Sequence, residues 1–220
     1  MEKFEQRLTR FLYSSCHEIF GTILNSIHNY FIPQIRKATE QKLDHLIFLG
    51  AHAVMQTVAE AIFNLMGLRG THFYLEHFVD GDEPDLKFST ISDEIHEIRN
   101  IVAHSWLSKC LHQITFNYEI AEGFFFQDNG CLHINPNIYY KQFENGYRTS
   151  GPIWNYHVLV SEEKLIINKY KFLCRWLKLD KSHPIYIKTI NLEKCSSSEQ
   201  ITRQEKHIKE LVISEYELNQ

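Results

Sequence analysis

The sequence predicts a mainly α-helical fold with a short β-rich insertion. Gly (9) and Pro (5) are scarce among the 220 residues, which favours helices over a sheet-rich sandwich. Apolar residues recur at helical spacing along most of the chain, and one aromatic, β-branched stretch interrupts that pattern. Apolar residues make up 44% of the chain, with 15 Phe and 11 Tyr, so we expect a well-packed hydrophobic core.

Charge and cysteine content exclude several classes of protein. The formal net charge is -4, so the strongly basic character of a dedicated nucleic-acid-binding protein is absent, and any RNA contact must come from a local basic patch. The five cysteines are scattered without a CxxC pair, which indicates neither a disulfide framework nor a zinc site. We see no uninterrupted membrane-spanning run and no signal peptide. We therefore expect a soluble, cytoplasmic protein without metal, cofactor or membrane contact.

The N-terminal half of the chain is predicted to be helical. The first helix covers residues 3–31 and ends before Pro33, because a proline disfavours helical geometry in the residue before it. A second long helix covers 35–66, and its small residues would let another helix approach closely. Gly67 is a natural stop signal for it. A short helix follows at 71–79.

A further helix is predicted from about Ser92 to Cys110. It follows a turn-rich loop at 80–85 and several residues that commonly cap helix N-termini. One face of this helix carries an apolar stripe that we expect to be buried: Ile91, Ile95, Ile98, Val102, Trp106 and Cys110.

The character of the sequence changes after residue 113. Residues 114–126 are aromatic and β-branched, and Asp128-Asn129-Gly130 resembles a turn before 131–134, so we predict a β-hairpin or strand-like insertion. Loops are expected at Asn145-Gly146 and at 150–152.

The last segment returns to helical spacing. Ser161 is expected to cap a helix that reaches residue 178. Residues 184–192 are predicted to be extended, and 198–216 to form a final polar helix. The length of the chain allows one domain with three parts: a helical core at 1–112, the β-rich insertion at 113–160, and the closing helix with a C-terminal extension at 161–220.

The stretch that can carry chemistry is Arg99-Asn100-Ile101-Val102-Ala103-His104. One reaction that these side chains could serve is the cleavage of RNA, which contains its own nucleophile, the 2′-hydroxyl. Its cleavage needs a base, an acid for the departing 5′-oxygen, and positive charge beside the phosphate. His104 suits the proton transfers because the pKa of histidine lies near neutral pH. Arg99 can hold two phosphate oxygens, and Asn100 can orient the phosphate or His104.

Helix geometry adds a constraint to this scheme. Residues five apart on a helix lie roughly 140° apart around its axis, so Arg99 and His104 of one copy do not meet over one phosphate. Two copies facing each other across a twofold axis could bring both pairs into one cleft.

This motif and the order of the helices before it resemble the HEPN superfamily. The HEPN signature is an Arg, usually followed by a polar residue, then a few residues and a His; here these are Arg99, Asn100 and His104. The long helix rich in small residues, the short helix and loop, and the motif helix follow the HEPN order. The resemblance covers residues 1–110, with the helix at 161–178 as the closing element.

The resemblance implies both architecture and activity. It implies an antiparallel helical bundle, a homodimer with a shared site, and metal-independent cleavage of single-stranded RNA that leaves a 2′,3′-cyclic phosphate. The setting would be defence, toxin–antitoxin or RNA processing, with an antitoxin protein as a possible partner. In HEPN toxins paired with nucleotidyltransferase antitoxins a Tyr often stands two residues after the His. Here that residue is Trp106, which has no hydroxyl to be modified.

Several alternatives stay open from the sequence. Arg99 could pair with Glu94 or Glu97, which could instead order it for the site, and His104 could be an interior histidine. The protein could be a non-catalytic HEPN dimer that binds RNA, a nucleotide or a protein, or a purely structural helical scaffold. Three other histidines are candidates for a polar cleft: His45, His52 and His96.

Overall fold

The computed structural model describes residues 3–81, 86–104 and 113–218, with the backbone alone at 101–104. Ten α-helices, several short π and 3-10 turns, and three short β-strands occupy this part of the chain. The predicted mainly α-helical class is therefore confirmed.

The chain divides into two compact units. The first is made of Met1–Thr22, Ala61–Asn64 and His157–Gln220, and the second of Ile23–Glu60 and Leu65–Tyr156. Both units are assembled from segments that are distant in sequence, so neither could be recognised as a continuous block of residues.

The first unit is helical. Its elements are α1 (Phe4–Tyr13), the start of α2 (Cys16–Ser26), α8 (Glu162–Trp176), α9 (Pro184–Leu192) and α10 (Ser198–Glu215). α9 packs against both α8 and α10. Apolar side chains from these helices, such as Leu12, Leu173 and Ile208, form one buried cluster.

A buried lysine marks the point where the predicted helix 3–31 is broken. α1 ends at Tyr13, and the Nζ of Lys169 donates hydrogen bonds to the carbonyl oxygens of Leu12 (3.3 Å) and Ser14 (2.7 Å). Lys169 is only 2% exposed. Its charge satisfies carbonyls that a continuing helix would have used itself. The break depends on a residue 155 positions away from Ser14, which local spacing cannot reveal.

The second unit surrounds one apolar helix. Its elements are the end of α2, a π turn (Ile27–Phe31), α3 (Ile32–Glu40), α4 (Asp44–Val58), α5 (Gly67–Tyr74) with a π turn (Leu75–Val79), a 3-10 turn (Phe88–Ile91), α6 (Ser92–His104) and α7 (Pro136–Asn145). α4 packs against α3, α5, α6 and α7. The predicted close approach is confirmed at Gly50, where an added Cβ would lie 2.8 Å from Cγ1 of Ile35.

The break between the first two long helices lies later than predicted. Pro33 occupies the first turn of α3, directly after the π turn, and does not end the helix. A π turn shifts the backbone hydrogen bonds by one residue, which accommodates the missing N–H of a proline. The chain instead turns at Gln41–Leu43, with Lys42 at a positive φ of 52°.

The end of the long apolar helix also differs from the prediction. A π turn (Ala59–Phe63) continues α4, and Asn64, with φ 56°, follows it. Gly67 begins α5 rather than ending α4. The short helix predicted at 71–79 is confirmed, with an earlier start at Gly67.

The β-rich insertion is a three-stranded sheet with the order β1-β3-β2. The strands are β1 (Ile114–Phe116), β2 (Phe124–Phe126) and β3 (Leu132–Ile134). β2 and β3 are antiparallel neighbours, so the predicted hairpin is confirmed. Its turn requires a left-handed residue, which Gly130 supplies at φ 80°. β1 lies parallel to β3 on the other side.

Two helices begin where the sequence analysis placed none. Residues 184–192 form α9, so the predicted extended segment is wrong, and α7 covers 136–145. Both start with a proline at the first helical position, where its missing N–H costs nothing. The preceding residue caps each of them: Asn135 accepts from the N–H of Asn137, and His183 from that of Ile185.

The helix formed by α4 and its π turn (Asp44–Phe63) is apolar and long enough to cross a membrane by length and composition, with a hydropathy of 1.6. This length was not recognised in the sequence because polar residues break up the apolar runs along the helix. Of its most apolar stretch, 56% is buried inside the protein. The core helix of a soluble protein has this same character, so the finding supports a soluble protein.

The predicted cap at Ser161 is confirmed and testable. Its Oγ accepts a hydrogen bond from the N–H of Lys164 at 3.3 Å, at the start of α8. We expect Ser161→Ala to lower the free energy of unfolding by about 1 kcal/mol in chemical denaturation. Ser214→Ala, at an exposed position inside α10, is the matched control. An equal loss in both variants would contradict the capping role.

Candidate functional site

The helix α6 presents the motif. It begins at Ser92 directly after a 3-10 turn and is helical through His104. Its predicted apolar stripe is confirmed at Ile91, Ile95 and Ile98, which are between 0% and 3% exposed. The remaining members of the stripe, Val102, Trp106 and Cys110, lie outside the described side chains. The stripe fixes which face of α6 is buried, and Arg99 and Asn100 lie outside it, half-buried.

Arg99 and Asn100 are joined directly. The Nη1 of Arg99 donates a hydrogen bond to the Oδ1 of Asn100 at 2.8 Å, and both residues are half-buried. We expected Asn100 to orient the phosphate or His104. Its amide oxygen here accepts from the Arg99 guanidinium, and its role toward a phosphate or His104 stays a prediction.

His104 is the last described residue of α6, and its side chain lies outside the described residues. Because the backbone is helical from Arg99 to His104, the angle of roughly 140° between them applies to this helix. Asn100 and His104 are four apart and so occupy the same side of α6, roughly 40° from each other. The helix therefore gives one copy an Arg99–Asn100 pair and a histidine position on adjoining faces.

A histidine pair adjoins the motif. The Nε2 of His52, on α4, lies 2.9 Å from the Nδ1 of His96, on α6. His52 is only 3% exposed, whereas His96 is half-buried. His96 is three residues before Arg99 and four before Asn100, so it shares their side of α6. Of the three extra histidines named from the sequence, the structure brings these two together. His45 is exposed, with its ring 5.5 Å from that of Phe116.

Polar side chains of α4 and α5 hold the pair in place. The Oγ1 of Thr71 lies 3.4 Å from both paired ring nitrogens. Gln56 donates from Nε2 to the Oγ1 of Thr71 (2.9 Å) and to the carbonyl oxygen of Gly67 (2.9 Å), and its Oε1 accepts from the N–H of Gly67 (2.8 Å). The start of α5 is thereby tied to α4, and Thr71 is directed at the histidines.

Both imidazoles of the pair are held neutral. Burial, with smaller effects from His96 and from the Arg99 charge, lowers the pKa of His52 to about 4. The pKa of His96 is also lowered, by burial and by Arg99, against a weaker opposing effect from Asp93. Between two neutral imidazoles one nitrogen donates and the other accepts. The hydrogen bond between the two rings therefore needs no extra proton, and Arg99 remains the positive charge beside the pair.

The two predicted supporting acids lie on the same helix. Glu94 and Glu97 are both half-buried on α6, five and two residues before Arg99. Within the described residues, no group of three or more His, Cys, Asp or Glu side chains could hold a metal ion.

Comparison with known proteins adds no relative to this picture. No family model, no curated protein and no solved structure matches the chain. Function must therefore be inferred from the motif, from the helix that carries it, and from the side chains around Arg99.

Sequence reasoning missed the coupling of His52 with His96. The two residues are 44 positions apart and on different helices. The signal in the sequence was confined to His52, a polar residue within the apolar helix α4. A buried polar residue in such a place needs a partner, and this requirement is the signal that could have found the pair.

Proposed function

We propose that this protein is a cytoplasmic, metal-independent endoribonuclease of HEPN type that cleaves single-stranded RNA by 2′-hydroxyl transesterification. The proposal includes a HEPN-like antiparallel bundle and a homodimer. The observation that supports it most is the Arg99–Asn100 hydrogen bond on the helix that also carries His104. This bond positions a permanent positive charge on the same helix as a residue type suited to proton transfer at neutral pH.

The proposed reaction uses few groups. A histidine accepts the proton of the ribose 2′-hydroxyl, and the 2′-oxygen attacks the adjacent phosphorus. The bond from phosphorus to the 5′-oxygen breaks, and that oxygen takes a proton from a second histidine. The products are a 2′,3′-cyclic phosphate and a free 5′-hydroxyl. Arg99 stabilises the charge that accumulates on the phosphate oxygens in the transition state.

The two histidines of this scheme come from two copies of the chain. One copy carries a single His104, and Arg99 is roughly 140° away from it around α6. A twofold axis beside α6 would place two His104 and two Arg99 side chains around one phosphate. Glu94 and Glu97 would order the arginines from the same helices. A role in defence, RNA processing or a toxin–antitoxin pair, with an antitoxin as partner, belongs to this proposal.

The experiment that tests the proposal is RNA cleavage in excess EDTA. We expect the purified protein to cut a labelled single-stranded RNA and to leave 2′,3′-cyclic phosphate ends, as identified by mass spectrometry of the fragments. A substrate with 2′-O-methyl groups should stay intact, because it lacks the nucleophile. Binding of the RNA without cleavage under these conditions would overturn the enzyme proposal in favour of a non-catalytic RNA-binding dimer.

A further inference from the structure

A basic depression lies between α9 and α10, in the first unit. Its volume is about 310 Å³, and none of the described residues that line it is acidic. Three permanent cations line it: Lys188 and Lys194 from the α9 side, and Arg203 from α10. Lys188 is half-buried, and the other two are exposed. This concentration of positive charge contrasts with the net charge of -4 for the whole chain.

Two carboxylates next in sequence to lining residues are engaged elsewhere. Glu193 pairs with Lys171 at 2.5 Å, and Glu205 pairs with Lys209 at 3.0 Å. Glu205 also accepts a hydrogen bond from the hydroxyl of Tyr170. Within the described part of the chain, Lys188, Lys194 and Arg203 take part in no ion pair or hydrogen bond through their side chains. Their charge is therefore left for a ligand from outside.

The polar lining fits phosphate groups. The side chains of Asn191 and Gln204 are half-buried in the same depression and can donate hydrogen bonds from their amides. Neutral donors among cations are typical of surfaces that contact nucleic-acid phosphates.

We propose that the depression between α9 and α10 binds the phosphodiester backbone of single-stranded RNA. This inference rests on the proposed function for its choice of RNA as the polyanion. It adds a contact surface on α9 and α10, separate from the motif residues of α6. The surface contacts phosphate charges and not base edges, so single-stranded DNA of the same sequence should also bind there.

The test is the binding of an RNA that cannot be cut. The probe is a fluorescein-labelled single-stranded RNA with 2′-O-methyl groups, followed by anisotropy at several salt concentrations. The variant with substitutions in the depression, which we call the cleft variant, carries Lys188→Ala, Lys194→Ala and Arg203→Ala. The matched control carries Lys37→Ala, Lys181→Ala and Arg7→Ala, which removes the same charge from exposed positions.

We expect the cleft variant to bind the probe about 10- to 100-fold more weakly at 0.1 M salt. The slope of log affinity against log salt concentration should be shallower by about two. The control triple should bind like the unmodified protein. Equal weakening in both triples, or unchanged binding in the cleft variant, would overturn the inference. Tight binding of vesicles with anionic lipids in place of the RNA would also overturn it.

The outcomes separate this inference from the nuclease proposal. If the unmodified protein cuts RNA but the cleft variant binds the probe normally, the depression is not the RNA surface and the enzyme proposal stands. If the cleft variant loses binding while no RNA is ever cut, the RNA surface stands and the enzyme proposal fails. Circular dichroism of both triples shows whether a loss of binding comes from a loss of fold.

Discussion

Replacing His104 with alanine is expected to lower the rate of RNA cleavage by about 10²–10⁴-fold, the typical contribution of a positioned general acid or base. The substitution removes both imidazoles from a twofold-related site, because each copy of the chain contributes one. Single-turnover cleavage of a labelled RNA in EDTA measures the effect on the chemical step. RNA binding should change much less, since the two Arg99 side chains, which hold the phosphate in this proposal, remain in place.

A histidine outside the proposed site provides the control for this prediction. His28 is exposed and contacts the ring of Trp154 with a centroid distance of 5.9 Å, so His28→Ala should cut RNA at the unmodified rate. Thermal unfolding of both variants shows whether they are folded. If folded His104→Ala cleaves as fast as the unmodified protein, the activity comes from another site or from a contaminant.

Mixing the unmodified protein with His104→Ala tests the shared site directly. A mixed dimer contains two Arg99 side chains but only one His104, so it lacks either the base or the acid of the proposed reaction. When the two proteins are unfolded and refolded together, we expect the cleavage rate to fall with the square of the fraction of unmodified chain, because only dimers of two unmodified copies retain both imidazoles. A rate that falls in direct proportion to that fraction, in a mixture shown to contain mixed dimers, would argue against a site built from both copies.

Local sequence pattern was sufficient for much of the second unit. The stripe of Ile91, Ile95 and Ile98 predicted both the existence of α6 and its buried face, because helical spacing repeats within a few residues. The hairpin of β2 and β3 followed from its turn residues. In the first unit, the cap at Ser161 followed from a serine placed before a run of helical spacing.

The features that the sequence did not reveal depend on distant partners or on backbone detail. Lys169 ends α1 from a helix far along the chain, and His52 meets His96 across two helices. Pro33 and Pro184 misled the prediction in opposite ways. One was read as a break although a π turn absorbs it, and the other as an extended segment although proline favours the first turn of a helix.

The histidine pair gives the protein a predictable pH dependence of stability. The pKa of His52 falls from an ordinary value of 6.5 to about 4 on folding, so the unfolded chain binds more protons than the folded one between these values. Protonation therefore favours unfolding, and stability is lost as the pH falls from about 6.5 toward 4. The contribution of His52 is on the order of 3 kcal/mol across this window. His96 acts in the same direction because its pKa is also lowered.

The variant His52→Gln isolates this contribution, because glutamine can form hydrogen bonds and does not titrate. We expect the unmodified protein to have its largest advantage in unfolding free energy over the variant near neutral pH. That advantage should shrink by about 3 kcal/mol by pH 4, as measured by urea denaturation at a series of pH values. Carboxylates that titrate in the same range contribute equally to both proteins and cancel in the difference. Curves that stay parallel would show that the His52 ring gains its proton as readily in the folded protein as in the unfolded chain. Such a result would contradict the description of the histidine pair beside Arg99 as buried and neutral.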